Sequence, residues 1–195
     1  MDVKDDFAAL NLGTQIRQLR NQRGFTLQNV ADMTGLSKPL LSQIENNIAS
    51  PPIATLIKIS KALGVKIGHF FKESDKNEKI VVVRKDDKYV INKRHPHQAA
   101  EIGYFYKPLA YPLVDKHMEP FIVEMQEMKD DKLVYNNHVG EEFIYVIGGT
   151  LEFKSSGKTI ILEEGDSLYF DSVIPHAFRG IDAPAKIIAI LYTPK

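Results

Sequence analysis

Two groups of residues in this chain have the types and spacing to do chemistry. The first lies between Thr26 and Asn46. Within it, Ser37, Lys38 and Pro39 read as the cap and first turn of a short helix, and Ser42 and Gln43 fall on one side of that helix. A glutamine can bond adenine bidentately, and the amides at a helix start can hold phosphates. Two short helices joined by a tight turn, the second carrying such side chains, are the layout of a helix-turn-helix whose second helix lies in the DNA major groove. The second group is His138, Glu142 and His176, far downstream. Its residue types suit a metal or ligand site in a small β-barrel.

Several elements must position the first group. Leu12, Ile16 and Leu19 stand at i, i+4 and i+7 and predict a helix that Gly24 stops. Thr26 caps a second helix, whose apolar face is Leu27, Val30 and Ala31. Gly35 supplies a left-handed turn, and Ser37 caps a third helix with Leu41 and Ile44 facing inward. That leaves Lys38, Pro39, Ser42 and Gln43 outward. Pro51 and Pro52 open a fourth helix that Gly64 closes, and Ile67, Phe70 and Phe71 predict a short fifth.

Residues 73–79 are polar and read as a linker, after which the pattern changes. Short β-branched or aromatic runs follow at Ile80–Arg84, Lys88–Asn92, Ile102–Tyr106, Phe121–Met125, Phe143–Ile147, Thr150–Phe153, Thr159–Leu162, Ser167–Phe170 and Lys186–Tyr192. Gly148-Gly149 and Glu164-Gly165-Asp166 read as turns, and Ser155-Ser156-Gly157 as a hairpin loop. Short, evenly spaced strands without helices predict a closed antiparallel barrel or jelly roll. The expected domains are a flexible terminus at 1–11, a helix-turn-helix domain at 12–72, the linker at 73–79 and a β-barrel at 80–195.

Charge separates the two halves. The chain is neutral overall. Residues 7–72 nevertheless carry Arg17, Arg20, Arg23, Lys38, Lys58, Lys61, Lys66 and Lys72 against only Asp32 and Glu45. A basic domain on an acidic body fits phosphate contact through one end. The chain has no cysteine, which excludes disulfides, thiolate zinc sites and thiol catalysis. No long apolar run or signal peptide is evident, so the expectation is a cytoplasmic protein without a membrane partner.

Ala31, Gly35, Ser37, the Ser42-Gln43-Ile44-Glu45-Asn46 run, Ser50-Pro51 and Ala62-Leu63-Gly64-Val65 together resemble the phage-repressor (Cro/XRE) helix-turn-helix family over about residues 13–72. The resemblance implies a double-stranded DNA operator, with Gln28, Ser37, Lys38, Pro39, Ser42, Gln43 and Asn46 at the interface. It also implies that Glu45 pairs with Arg20. Leu27 stands where many members place Gln, and Asn47 where Gly is usual; Asn tolerates the left-handed conformation.

Asn136 to Gly149 resembles the first cupin motif and Gly165 to His176 the second. In metal-binding cupins these motifs supply three His and one Glu. Here His138, Glu142 and His176 occupy three of those positions and Asn136 the fourth. Two imidazoles and a carboxylate with open positions form the facial triad of non-haem Fe(II) sites; Zn, Mn or Ni also fit. The same residues can instead serve as polar groups that hold an organic effector. Tyr104, Tyr106 and Phe170 are candidates to line the cavity.

The joined architecture resembles the XRE–cupin transcriptional regulators. The expected fold class is therefore α+β multidomain, with a five-helix helix-turn-helix bundle followed by an all-β cupin barrel. The resemblance implies a homodimer or higher oligomer that senses a small molecule, a metal or both, and no catalytic residues. The rival reading is an enzyme. The domain order and the two-His, one-Glu set also resemble the hydroxypropylphosphonate epoxidases, mononuclear iron enzymes with an N-terminal helical domain. Tyr106 falls where those enzymes have an active-site tyrosine, whereas Gly24 falls where they have a lysine.

Overall fold

A computed structural model of the chain describes residues 12–71, 79–86, 103–113 and 116–194. The expected flexible terminus at 1–11, the linker apart from Lys79, the strand at 88–92 and Lys72 lie outside these residues. The chain divides into two compact units, one containing the helices and one the sheet.

The helical unit has four α-helices: α1 (Leu12–Gln22), α2 (Leu27–Thr34), α3 (Lys38–Glu45) and α4 (Ile53–Ala62). The expected fifth helix is a 3-10 segment, Ile67–Phe71. That correction has a physical cause. Ile67, Phe70 and Phe71 are fully buried, so five residues must present nearly every apolar side chain inward. The segment is only five residues long, and 3-10 winding is used in such short pieces. Ile16, Val30, Leu41, Ile44, Leu56 and Ile59 complete the core. Gly13 allows α1 to meet α3: a Cβ there would stand 2.1 Å from the carbonyl of Ile44.

The second unit is a six-stranded antiparallel sheet in the order β1-β2-β6-β3-β4, with β5 also paired to β3. The strands are β1 (Tyr104–Pro108), β2 (Met118–Met125), β3 (Glu141–Ser155), β4 (Lys158–Leu162), β5 (Ser167–Asp171) and β6 (His176–Tyr192). The inward rows include Glu119–Leu191–Glu142 and Val123–Ile187–Val146, all buried.

Three expectations need correcting. The runs at 143–147 and 150–153 are one strand, because Gly148-Gly149 is a bulge, not a turn. Gly148 pairs with Lys186 and Thr150 with Ile181, so residues 182–185 of β6 stand opposite Gly149 alone. Gly149 takes φ +77, and a Cβ there would lie 2.8 Å from the carbonyl of Pro184; only glycine permits that approach. For the same reason β6 begins at His176, ten residues before the run at 186–192, and passes through the bend at Asp182 and Pro184. Finally, Ile80–Arg84 forms no strand: Ile80 is 85% and Val82 60% exposed, and the run pairs with no strand among the described residues. The hairpin expected at Ser156-Gly157 is present, with φ 45 and 78.

No helix among the described residues is long and apolar enough to cross a membrane.

Candidate functional site

The recognition surface is assembled by local caps. Thr26 and Asn29 form a reciprocal capping box at the start of α2: the Asn29 amide N–H donates to Thr26 Oγ1 at 3.1 Å, and the Thr26 amide N–H to Asn29 Oδ1 at 2.8 Å. Gly35 ends α2 in the left-handed conformation, its N–H donating to the carbonyl of Ala31. Ser37 Oγ then accepts from the amide of Leu40 at 3.3 Å, with Pro39 in the first turn of α3. Because the turn is tight and both ends are capped, α3 buries Leu41 and Ile44 and exposes Lys38, Pro39 and Gln43, with Ser42 half-buried beside them. Gln43's side-chain amide makes no hydrogen bond among the described residues, so its donor and acceptor remain available.

Other expected contact residues are already engaged. Gln28 Nε2 donates to Asp32 Oδ1 at 2.6 Å on the exposed side of α2. Asn46 Nδ2 donates to the carbonyl of Ser42 at 2.8 Å, and its Oδ1 accepts from Arg17 Nη2 at 2.8 Å.

Beneath α3, Glu45 is only 3% exposed and accepts from Arg20 Nε at 2.6 Å and Nη2 at 2.9 Å. Arg17 Nε reaches the same carboxylate at 3.3 Å. Arg20 also donates to the carbonyl of Phe25, tying α1 to the loop before α2. Arg17 carried no signal in the pattern, since an Arg between apolar helix positions is ordinarily solvated. Asn47 adopts φ +55, and its Oδ1 accepts from the amide of Gly13 at 3.0 Å. Asn thus meets the backbone demand of a glycine and also closes the start of α1.

The second cluster lies in the sheet unit. Glu142 is the second residue of β3, and His138 sits four residues before it in the preceding loop. His176 opens β6. Backbone bonds hold these pieces together: His138 N donates to Ser172 O, Ser172 N to Gly140 O, and Asn136 and His176 exchange two bonds, all at 2.9 Å. The turn needed to bring His138 to Glu142 comes from Gly140 at φ +116.

His138, Glu142 and His176 are all buried, and their ligand atoms lie within 4.8 Å of one another. His138 Nε2 stands 2.6 Å from Glu142 Oε1, and His176 Nε2 stands 3.6 Å from the same oxygen. His176 Nδ1 donates to the carbonyl of Ile174 at 2.8 Å. In the neutral ring that leaves the Nε2 lone pair facing a carboxylate oxygen, two acceptors with no proton between them. A cation between them would satisfy both, and the Ile174 bond fixes the tautomer and orientation of the imidazole with Nε2 left to ligate. Burial, the largest influence, lowers the His176 pKa from its ordinary value, against the opposing charge of Glu142; the neutral, ligating form is favoured. The set can therefore hold a divalent ion, whose identity the donors leave open among Fe, Zn, Mn and Ni.

Asn136 is tied to His176 through the backbone, while its side-chain amide donates to the carbonyl of Val134 at 3.2 Å. Phe170 pairs with Glu142 in register and sets its ring against that of His176, centroids 4.8 Å apart. Tyr106 lies in the row Tyr106–Val123–Ile187–Val146, four residues along β3 from Glu142, and packs edge-on against Phe121. Tyr104 stands 6.0 Å from Tyr106, ring to ring. Of the three cavity candidates, Phe170 is thus the one seated on the cluster. Ser172 was not anticipated: it is fully buried, with Oγ 3.4 Å from Glu142 Oε1. Nor was Glu119, a second buried carboxylate in the Glu142 row, paired with Lys116 at 2.9 Å.

Comparisons with known proteins bear on both sites. Residues 16–70 match the helix-turn-helix family and residues 121–191 the cupin domain family. Over 185 residues the chain is 29% identical to the HTH-type transcriptional regulator SutR of Escherichia coli K12, spanning 94% of this chain and 96% of that protein. Among solved structures, an HTH_3 family transcriptional regulator from Vibrio cholerae superposes with a TM-score of 0.66 at 23% identity, over 98% of this chain and all of that one. The iron(II) form of HppE, a hydroxypropylphosphonic acid epoxidase, superposes with a TM-score of 0.51 at 21% identity, over 95% of this chain and 100% of that one. At those identities the two structures share the fold.

Proposed function

The chain belongs to the XRE-type helix-turn-helix transcriptional regulators with a C-terminal cupin domain, and from that premise we propose that it reads a specific operator and changes its hold on that operator when the cupin domain binds a small molecule, a divalent metal or both. The observation carrying this reading is the exposed face of α3, with Gln43 uncommitted, set on the buried Glu45–Arg20 pair. Gln43, Ser42 and Lys38 face base edges or adjacent phosphates, Pro39 packs against the groove, and Ser37, Gln28 and Asn46 complete the interface. The helix-turn-helix domain is taken as residues 12–72, the linker as 73–79 and the cupin domain as 80–195, its sheet closed as a jelly-roll barrel. The protein acts in the cytoplasm. A homodimer or higher oligomer presents two recognition helices to half-sites about one helical turn apart.

Effector control requires that the ligand bind two arrangements of the protein with different affinity. The buried triad with Phe170 and Ser172 is the seat we assign to that ligand. The test is binding of the purified protein to DNA from its own upstream region, compared with a scrambled duplex over a salt series. Selective binding with a steep salt slope supports the proposal; equal affinity for both duplexes, with the fold intact, sinks it.

One observation favours a second reading. The two-His, one-carboxylate set is a non-haem iron ligand set, and the fold is shared with HppE. Turnover of a hydroxyalkylphosphonate by the iron-loaded protein with oxygen and a reductant would establish an epoxidase-type enzyme. Its absence, alongside operator binding, leaves the triad as a sensor.

A further inference from the structure

Arg17 and Arg20 lie one turn apart on α1 and share the Glu45 carboxylate, yet their surroundings differ. The Arg20 side chain is 12% exposed and bonds Glu45 through two nitrogens. The Arg17 side chain is 45% exposed and meets Glu45 through Nε alone, at 3.3 Å. Glu45 is therefore neutralised by Arg20, and the second guanidinium leaves the group with an excess positive charge at the surface.

A guanidinium has five N–H donors. Arg17 uses Nε on Glu45 and one Nη2 donor on Asn46 Oδ1 at 2.8 Å. The Nη1 donors and the second Nη2 donor have no partner among the described residues. Asn46 is itself held, because its Nδ2 donates to the carbonyl of Ser42 at 2.8 Å. That bond turns Oδ1 toward Arg17. Asn46 stands four residues after Ser42, at the end of the face that also carries Lys38 and Gln43. The guanidinium is thus fixed beside the C-terminal end of the recognition face with its free donors outward.

We propose that Arg17 contacts the DNA backbone, its free N–H groups taking a phosphate oxygen, and that Asn46 is a positioning residue that holds it there. The inference rests on the DNA-binding reading above. It adds a sequence-independent contact from α1 and gives Asn46 a different role from that of Gln43. A planar, fixed guanidinium suits the two oxygens of a phosphate. The bland alternative is a solvated arginine that adds only a little to an ion pair.

The test uses the full chain and a fluorescein-labelled, random-sequence duplex, titrated by anisotropy across a salt series. A backbone contact acts on any sequence, so no operator is needed. Arg17→Gln should weaken binding to random and operator-like duplexes alike. It should also make the slope of log Kobs against log salt shallower by about one per protomer engaged. Arg17→Lys should keep most of the slope, and Arg17→Met gives a second charge-removing variant should the Gln form fold poorly. Asn46→Ala should cost affinity in the wild-type background and little in Arg17→Gln. Equal slopes for wild type, Arg17→Gln and Arg17→Met would overturn the contact. Fully additive losses for Asn46→Ala and Arg17→Gln would overturn the positioning role. A wild-type protein that binds no duplex at low salt would overturn the DNA-binding reading itself, a result distinct from unchanged slopes.

Discussion

Glu45 receives two hydrogen bonds from Arg20, at 2.6 and 2.9 Å, while almost fully shielded from solvent. The pair joins α1 to the end of the recognition helix and stands on the side of α3 turned away from Gln43. Removing Arg20 leaves the buried Glu45 carboxylate with only the single, longer bond from the more exposed Arg17, at 3.3 Å. Arg20→Ala should therefore destabilise the helical unit by about 3 kcal/mol, read as a lower urea midpoint with far-UV circular dichroism. A midpoint within error of wild type would mean that the existing Arg17 bond suffices to hold Glu45.

Gln43 differs from its neighbours in having its amide uncommitted. Gln43→Ala should leave stability unchanged and flatten preference at one base pair, by roughly 1–3 kcal/mol. Ser37→Ala should act differently, because its hydroxyl caps α3: the loss is about 1 kcal/mol of stability. Competition binding with single-base operator variants, beside thermal melts, separates the two. A uniform loss across all operator variants for Gln43→Ala would make it a backbone contact.

The triad predicts a pH-dependent cation site. His176 has its pKa lowered from 6.5, chiefly by burial, so it remains neutral and able to ligate to a lower pH than a free histidine. Divalent-ion affinity should hold through about pH 7 and fall as acid drives a proton onto His176. The same sign applies to stability. Above the unfolded value the native state pays nothing for neutral His176. As pH drops below it, the unfolded chain takes up a proton the buried ring resists, and stability is lost down to the native pKa. Calorimetric titration with Zn, Mn, Ni or anaerobic Fe(II) should show one site per chain, abolished in His138→Ala. Unchanged metal content in that variant would remove the site.

What could be read in the sequence divides by range. The caps Thr26 and Ser37, the turn at Gly35 and the inward Leu41 and Ile44 are set by neighbours within four residues, so local pattern suffices. His138, Glu142 and His176 were legible through motif resemblance, as was the Arg20–Glu45 pair. Arg17 was not, because its role depends on Asn46, twenty-nine residues away. Gly148-Gly149 looked like a turn because glycine pairs serve both turns and bulges; only the opposing Asp182–Ala185 stretch of β6 decides between them. Ile80–Arg84 has strand-forming residues but no paired strand among those described, and β propensity without pairing makes no strand. Tyr106 matched an enzyme's tyrosine by position, while its row in the sheet lies four residues along β3 from Glu142.

Gly140 offers the sharpest test of how the triad is built. It lies between His138 and Glu142 at φ +116, a conformation that side-chain-bearing residues rarely adopt, and a Cβ there would stand 1.9 Å from the carbonyl of Tyr192. Its carbonyl also accepts from the amide of Ser172, the turn that leads to His176. Gly140→Ala must therefore move the loop carrying His138 away from β6. The strain is worth about 1–3 kcal/mol, seen as a lower unfolding midpoint. Cation affinity should fall more than stability does, because Nε2 of His138 and Oε1 of Glu142 must keep their spacing to share an ion. Affinity for the random duplex should stay within error of wild type, since none of these contacts involves α3. Wild-type cation affinity in Gly140→Ala would show that the two ligands do not depend on this turn for their spacing.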